Sequence, residues 1–380
     1  MSQVAILHTR PDRVLEDYQR LMHLADYADE IDPSVPTALK INVSWDRWFP
    51  ACSTTPWQLE GVLRALLADG IGQDRIYACH NRTVVVSARK GERTNAHLPV
   101  VRRYGIDNVH LYESDTEWMH IRDAVGGLVD DFLALDRVYP DGFWIPRRFQ
   151  GSNIIQMPTM KTHVFTTITG AMKNAFGGLL NENRHWCHEH IHEVLVDLLM
   201  IQQEIHSGLF AVMDGTFAGD GPGPRCMRPA VKNVILASSD QVAIDAIAAR
   251  MMGFDPLEDI QFIRLAHERG LGCGDPEKIH IVGDQEAADE NWGFRGPYAD
   301  MTFAARMQHR IYWGDLKKPL GWTLYTPLAV WSYVASILYH DWFWYPMIGK
   351  PRVRDALKTP WGRLFRRYRA DMVVEDEDDG

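Results

Sequence analysis

The sequence has no C-x-x-C pair. Its five cysteines, Cys52, Cys79, Cys187, Cys226 and Cys273, lie scattered along the chain. That argues against a ferredoxin-type iron–sulfur cluster and a structural zinc knuckle, so no iron–sulfur cluster is expected. An odd, dispersed count suits a reducing cytoplasm better than a disulfide framework. Positive charge in excess is also missing: the formal net charge is −10 at pH 7. Nucleic-acid binding needs a basic face, so no nucleic-acid partner is expected. The opening residues, MSQVAILHTR, show no basic segment followed by an apolar one, and no signal peptide is visible. No internal repeat is present. The acidic run at 375–379 is the one low-complexity tract, and disorder is its simplest expectation.

What is there has an ordinary bulk composition. The chain has 380 residues, 46% hydrophobic and 24% charged. That is enough for a large core and two domains. One stretch organises it. Asn153-Ile154-Ile155-Gln156-Met157 reads as a buried strand, and Pro158 ends it because proline cannot donate a ladder hydrogen bond. A polar loop carrying Lys161 and His163 is expected next, then a helix start near Lys173 and Asn174. Ligands of open α/β sheets sit beyond the carboxyl ends of strands, so chemistry in this loop is in the expected place.

Upstream, residues 4–8, 37–43 and 75–78 read as strands, with helices over 11–29 and 56–69. Lys40 and Asn42 share a face of the second strand because side chains alternate. Thr55 is a good helix cap and Pro56 suits the first helical position. Strand, helix, strand in this order implies a right-handed parallel unit. Downstream, residues 209–214, 233–237 and 279–282 read as strands, and 189–203, 240–252 and 259–269 as helices. The expected class is α/β: two parallel-sheet lobes, residues 1–145 and 146–285, with a cleft between them. A helical, aromatic-rich C-terminal extension, residues 286–380, completes the chain.

Four clusters are candidates for chemistry. The first is Lys161, His163, Lys173 and Asn174. A lysine near a helix start, other cations and a closed pocket has its ammonium form disfavoured. Such a lysine serves as a base or nucleophile near neutral pH. The less demanding alternative is that it binds an anion such as a carboxylate or phosphate. The second cluster is Arg184-His185-Trp186-Cys187-His188-Glu189-His190-Ile191-His192. His188 and His192 are four apart, so on a helix they share a face as two metal ligands would. The full H-E-x-x-H pattern is absent, and a polar helix start with one functional histidine is the alternative. The cofactor is therefore unknown, with a divalent transition metal as the candidate. The third cluster joins Asp214-Gly215 to Gly219-Asp220-Gly221-Pro222-Gly223-Pro224. Glycine lets a backbone approach a ligand and proline holds the loop stiff, but no Walker loop or G-x-G-x-x-G follows a strand here. A tight turn accounts for it equally well. In the fourth, Asp240 caps a helix, and Asp245 lies inside that apolar helix, where a carboxylate needs a partner.

In this order the clusters resemble the domain-of-unknown-function 362 family. The residues that carry the resemblance are PTMKTHVFTTITGAMKNAFGGLL, the histidine-bearing segment through Asp197, MDGTFAGDGPGP, SSDQVAIDAIAARMMGFDP and GLGCGDPEKIHIVGD, with LKINVSW and TTPWQLEGVLRALLADG as an N-terminal echo. It covers about residues 1–285 and is weak near 80–145. It implies an α/β fold and no settled reaction. Many members carry a ferredoxin-like cysteine segment, which this chain lacks, and that puts an electron-transfer role in doubt. The His163-to-Lys173 spacing is also faintly similar to the catalytic protein of nickel-pincer lactate racemase. That similarity implies His163 and His188 as acid/base groups and Lys173 as an anchor for substrate or cofactor.

The last hundred residues differ. Residues 319–340 contain no Asp, Glu, Lys or Arg, and basic residues follow from Lys350 onward. Aromatic residues beside a basic stretch fit a segment lying at a membrane surface. A helical pair packed on the body, with a solvated basic end, is the first expectation, contact with a membrane surface the second and a true span the third. The leading expectation is an enzyme, isomerase- or lyase-like, acting on a small anionic molecule. His163, Lys173 and His188 would be catalytic. Lys40, Asn42, Lys161, Asn174, Asp214, Gly219 and Gly221 would bind substrate. The other expectations are a non-catalytic membrane-peripheral binding protein and, third, a redox protein. A cytoplasmic location, with membrane association open, goes with either of the first two.

Overall fold

Apolar residues on both faces of a strand demand a sheet covered on both sides. The strand Asn153–Met157 is such a case, with all five residues buried. In the computed structural model, which describes residues 1–180 and 182–378, this strand lies at the middle of a ten-stranded sheet. Eight strands follow one path: His280–Gly283, Gln3–His8, Arg228–Ser238, Gly208–Asp220, Asn153–Met157, Thr37–Ile41, Ile76–His80 and Asp107–His110. Of these, Arg228–Ser238 alone runs against the rest. The expected α/β class, parallel sheet and helical extension are present. The two expected lobes share the large sheet, however: strands from 1–145 and from 146–285 interleave in it, and a two-stranded ribbon, Trp118–His120 with Trp144–Pro146, stands apart. The N-terminal strand crosses to pair with Arg228–Ser238 and His280–Gly283.

Alternation sorts the side chains into two cores. Val4, Ile6 and Ile154 face one side, and Ala5, Leu7, Ile155 and Met157 face the other. Helix starts follow their caps. Thr55 forms a capping box with Gln58 ahead of the helix Pro56–Ala68. Asp240 accepts from the N–H groups of Val242 and Ala243, and left-handed Gly253 ends the helix Gln241–Met252.

Two local expectations change. Residues 159–163, expected as a polar loop, form a fully buried strand, Thr159–His163. It pairs with Gly208–Asp220 and with Thr167–Ile168, so backbone partners far along the chain decide its conformation. The strand expected over 209–214 continues to Asp220 because its antiparallel partner carries the ladder past an irregularity at Gly215/Phe217.

The extension joins the second core. Trp344, Trp361, Phe365 and Tyr368 are buried with the sheet residues of that face. Phe365 stacks on Trp48 at 4.1 Å, and the Trp361 indole donates to Asn233 Oδ1 at 2.7 Å. The final helix, Pro360–Asp378, carries helical backbone into the acidic run where disorder is expected. Its packed first turns supply the nucleus, after which propagation is easy. Asp379, in the same run, lies outside the described residues. Because extension and sheet share a core, Phe365→Ala is expected to lower the stability of the whole chain by about 3 kcal/mol, read as one shifted urea transition. A separate early transition, with the main one unmoved, would show the extension to be an independent unit.

Candidate functional site

The parallel strands Thr37–Ile41, Ile76–His80, Asn153–Met157 and Gly208–Asp220 end at one edge of the sheet. A cavity of about 300 Å³ lies there, as expected for an open α/β sheet. Each strand end feeds it. Lys40 and Asn42 come from the first, and His80 and Asn81 from the second. Lys161 and His163 come from the strand that continues the third, and Pro222–Arg225 from the turn after the fourth. Lys173 and Asn174 come from the short helix Gly170–Asn174, and Arg184, His185 and His188 from the segment Glu182–His190. Ser336 and His340 close it from the extension. Of the expected site residues, His163, Lys173, His188, Lys40, Asn42, Lys161 and Asn174 therefore share one wall.

The wall is cationic. Lys40, Lys161, Lys173, Arg184 and Arg225 line it, and among the described residues no aspartate or glutamate does. Burial pushes the lysines down. Lys173 falls to about 7, through burial and then the charges of Lys161 and Arg184. Lys161 falls to about 8 by burial, opposed by Cys52. Lys40 falls to about 8 by burial, opposed by Cys79 and reinforced by Arg184. Lys161 Nζ donates to Cys52 O at 2.9 Å and Thr159 Oγ1 at 2.7 Å, and Lys40 Nζ donates to Ile41 O at 2.7 Å. Lys173 Nζ lies 5.1 Å over the Phe176 ring, facing the cavity rather than bulk water. The Arg225 Nη1 is buried without a hydrogen-bond partner.

The histidines are held neutral. Burial, then Lys173, His188, Lys161 and His192, push His163 well below its ordinary range. Its Nδ1 accepts the Phe165 N–H at 3.2 Å, so the ring proton resides on Nε2. Burial and Lys173 do the same to His188, whose Nδ1 meets the Tyr312 hydroxyl at 3.1 Å.

The helix that aims Lys173 is anchored by Asp245, the buried carboxylate that needed a partner. Asp245 accepts from the N–H groups of Ala171 and Met172 at 2.5 and 3.1 Å. Burial, against those bonds, pushes it up to about 8. Gly170 sits at φ +89°, and a Cβ there would lie 2.3 Å from Asp245, so only glycine fits. Asn174 is also structural: its amide donates to Lys40 O at 2.8 Å and Gln156 Oε1 at 2.9 Å.

Three expected substrate-binding residues lie elsewhere. Asp214 is fully buried in the core. It accepts from Tyr18 at 2.7 Å, Thr55 at 2.8 Å, Trp57 at 2.9 Å, and the Thr216 N–H and hydroxyl at 3.0 and 2.7 Å. It ties a strand to two helices, a role that the adjoining glycines disguised. Gly219 and Gly221 offer their carbonyls to the Thr162 hydroxyl, which holds the turn against Thr159–His163. The Gly-Pro run shapes the cavity through Pro222–Arg225 instead.

His188 and His192, expected as a metal pair, face different neighbours. His188 precedes the helix Ile191–Ile205, so the four-residue spacing does not place both on one helical face. His188 stacks on Phe176 and His192 on Phe262. Among the described residues the three-membered group able to hold a metal is His80, Glu92 and His110. Glu92 Oε2 meets His80 Nε2 and His110 Nε2 at 2.9 Å each and Asn108 Nδ2 at 2.7 Å. Those hydrogen bonds already occupy the converging atoms. Sequence reasoning missed Arg225 and His340 as wall residues, and named Arg184 only as the start of the histidine cluster. Position after the Gly-Pro run was the available signal for Arg225.

Asp214→Ala strands several buried donors. It is expected to lower stability by about 3 kcal/mol, measured by urea unfolding, while leaving phosphate affinity of the folded protein unchanged. Loss of affinity at full folding would return Asp214 to the binding site.

Comparison with known proteins bears on this site. A 110-residue stretch is 28% identical to a thylakoid-associated protein of Synechocystis sp., covering 27% of this chain and 33% of that relative. The chain thus matches about a third of the length of that relative. No solved structure matches, and the similarity to the lactate racemase protein is not shown by these comparisons. The sequence profile described as "Domain of unknown function (DUF362)" matches residues 37–250, which include the cavity's strand ends, Lys161, His163, Lys173, His188 and Arg225. The chain belongs to the domain-of-unknown-function 362 family.

Proposed function

We propose that the chain is an enzyme acting on a small anionic molecule by lysine–histidine acid/base chemistry. One observation carries this reading: Lys40, Lys161, Lys173 and Arg225 line one cavity, and no aspartate or glutamate among the described residues lines it with them. Burying the Lys161 and Lys173 ammonium groups is costly, and burial lowers the pKa of both. The arrangement is accounted for if an anion, a carboxylate or phosphate, completes it.

The roles follow from the environments. Arg225 and Lys161 hold the anion, with Lys40 and Arg184 adding to the field. Lys173, poised near 7, is partly free amine at neutral pH and can take a proton from carbon next to a carboxylate. Neutral His163 presents Nε2–H, which can donate to the oxygen where charge then collects. The lysine ammonium so formed can return the proton to carbon, with neutral His188, its ring fixed by Tyr312, beside it as a hydrogen-bonding group. Return of the proton makes an isomerase, and loss of a neighbouring group makes a lyase. A second reading, a membrane-peripheral binding protein in the cytoplasm, has two supports. One is the exposed aromatic residues of the extension. The other is the description of the Synechocystis relative as thylakoid-associated, over its short match.

The lysines give the test its sign. Their charged forms bind an anion, so affinity for inorganic phosphate or a small hydroxy acid should fall as pH rises from about 6 to 9. Calorimetry of Lys173→Met should show affinity lowered about tenfold or more and a flatter pH profile. Unchanged affinity would remove Lys173 from the site. In the free protein, the folded Lys173 sits near 7 against an ordinary 10.5. Between those values the unfolded chain holds more protons, so stability should rise with pH in that window. Thermal melts of wild type and Lys173→Met check this: the variant should lose part of the slope, and an identical slope would contradict the assignment.

A further inference from the structure

One feature of the extension is unused by the cavity. From Val330 the chain is helical through Ala356, as Val330–Ile337, Leu338–Gly349 and Lys350–Ala356 in succession. The middle segment is π-helical and contains Pro346, whose missing N–H cannot serve an ordinary helical ladder. One side of this helix faces inward. Ser336 and His340 line the cavity, and Trp344 is buried. The other side faces out, and it is apolar. Val330, Trp331, Val334, Leu338, Trp342, Phe343 and Met347 are exposed, recurring at the one-turn spacing that puts residues on a single stripe. Trp342 is 75%, Met347 68% and Phe343 56% exposed. Trp322 and Leu328, just before the helix, are exposed as well. A continuous apolar face of this size marks an interaction surface.

Charge selects the occupant. The stripe carries no charge, and Asp341 beside it is turned inward to the Trp45 indole at 2.7 Å and to Arg47. Exposed Lys318 stands before it and exposed Lys350 and Arg354 stand after it. A protein of net charge −10 is repelled by an anionic surface unless local cations offset that charge. Tryptophan and phenylalanine between flanking lysines are what an interfacial helix presents to headgroups. Among the described residues no helix is long and apolar enough to cross a membrane, so this one would lie in the surface plane.

We infer that the stripe from Val330 to Met347 docks the protein on an anionic lipid bilayer, with Lys318, Lys350 and Arg354 over the headgroups. Docking leaves Ser336 and His340, on the opposite side of the same helix, at the cavity wall. This inference does not rest on the reaction proposed above.

Flotation of the full chain tests it, with vesicles of phosphatidylglycerol and phosphatidylcholine in equal parts. The wild type should float with these vesicles and bind pure phosphatidylcholine at least about tenfold more weakly. Trp342→Gln/Phe343→Gln/Met347→Gln should lower affinity for the anionic vesicles about tenfold or more. Its thermal midpoint should be retained, because the three side chains make their surface in water. Failure of the wild type to float, or equal flotation of the triple variant, overturns the inference. So does a lipid-free dimer in sedimentation that the triple variant dissolves, which would assign the stripe to a second copy of this chain. Phosphate calorimetry on the triple variant keeps the two claims apart: intact phosphate binding with lost flotation separates the stripe from the cavity.

Discussion

Like charge gathered in one small cavity governs this molecule. Lys40, Lys161, Lys173, Arg184 and Arg225 face one cavity; burial lowers their pKa values, and then Arg184 lowers Lys40, and Lys161 and Arg184 lower Lys173. The protein meets this cost in two ways. It spends carbonyl and hydroxyl acceptors on Lys40 and Lys161, and it leaves Lys173 and Arg225 turned to the void. The first pair is thereby fixed in place, Lys161 keeping one of its three N–H donors for an anion, and the second faces a ligand directly. The neutral state of His163 and His188 comes first from burial and then from the same cations, since an imidazolium would add further positive charge to the cavity.

Precision at this spot comes from groups that never touch the cavity. Asp245 holds the first N–H groups of the helix bearing Lys173, and Gly170 makes room for that carboxylate. Asn174 ties the same helix to the strand carrying Lys40, and Gln156 continues the tie to Gln202. On the other side of the sheet, Asp214 locks Tyr18, Thr55 and Trp57 together. Two buried carboxylates thus serve as scaffold, while the wall of the cavity carries none among the described residues. That division keeps negative charge away from where an anion would sit.

How much of this was legible depends on the range of the interaction. Thr55 and Pro56, Asp240 and Gly253 act within one helical turn, and their roles follow from the local text. The strand Asn153–Met157 is apolar enough to identify itself, and the loop after it is where a parallel sheet places ligands. The strand Thr159–His163 hides because its side chains are polar and its long-range partner is the distant strand Gly208–Asp220. Asp214 beside glycines looks like a ligand-binding corner, and only the approach of Tyr18, Thr55 and Trp57 from distant helices shows it to be structural. The four-residue spacing of His188 and His192 suggests a shared face, but the helix begins between them. Arg225 became a wall residue only when the extension and the Gly-Pro turn closed over it.

The central claim is that buried, partly deprotonated lysines await an anion. The most direct measurement is the number of protons exchanged when phosphate binds at pH 8, obtained by calorimetry in two buffers of different ionisation enthalpy. The account predicts a net uptake of about one proton or more per anion after correction for phosphate itself, because the bound charge raises the lysine pKa values. Binding with no proton uptake would mean that the lysines are already charged, and would contradict it.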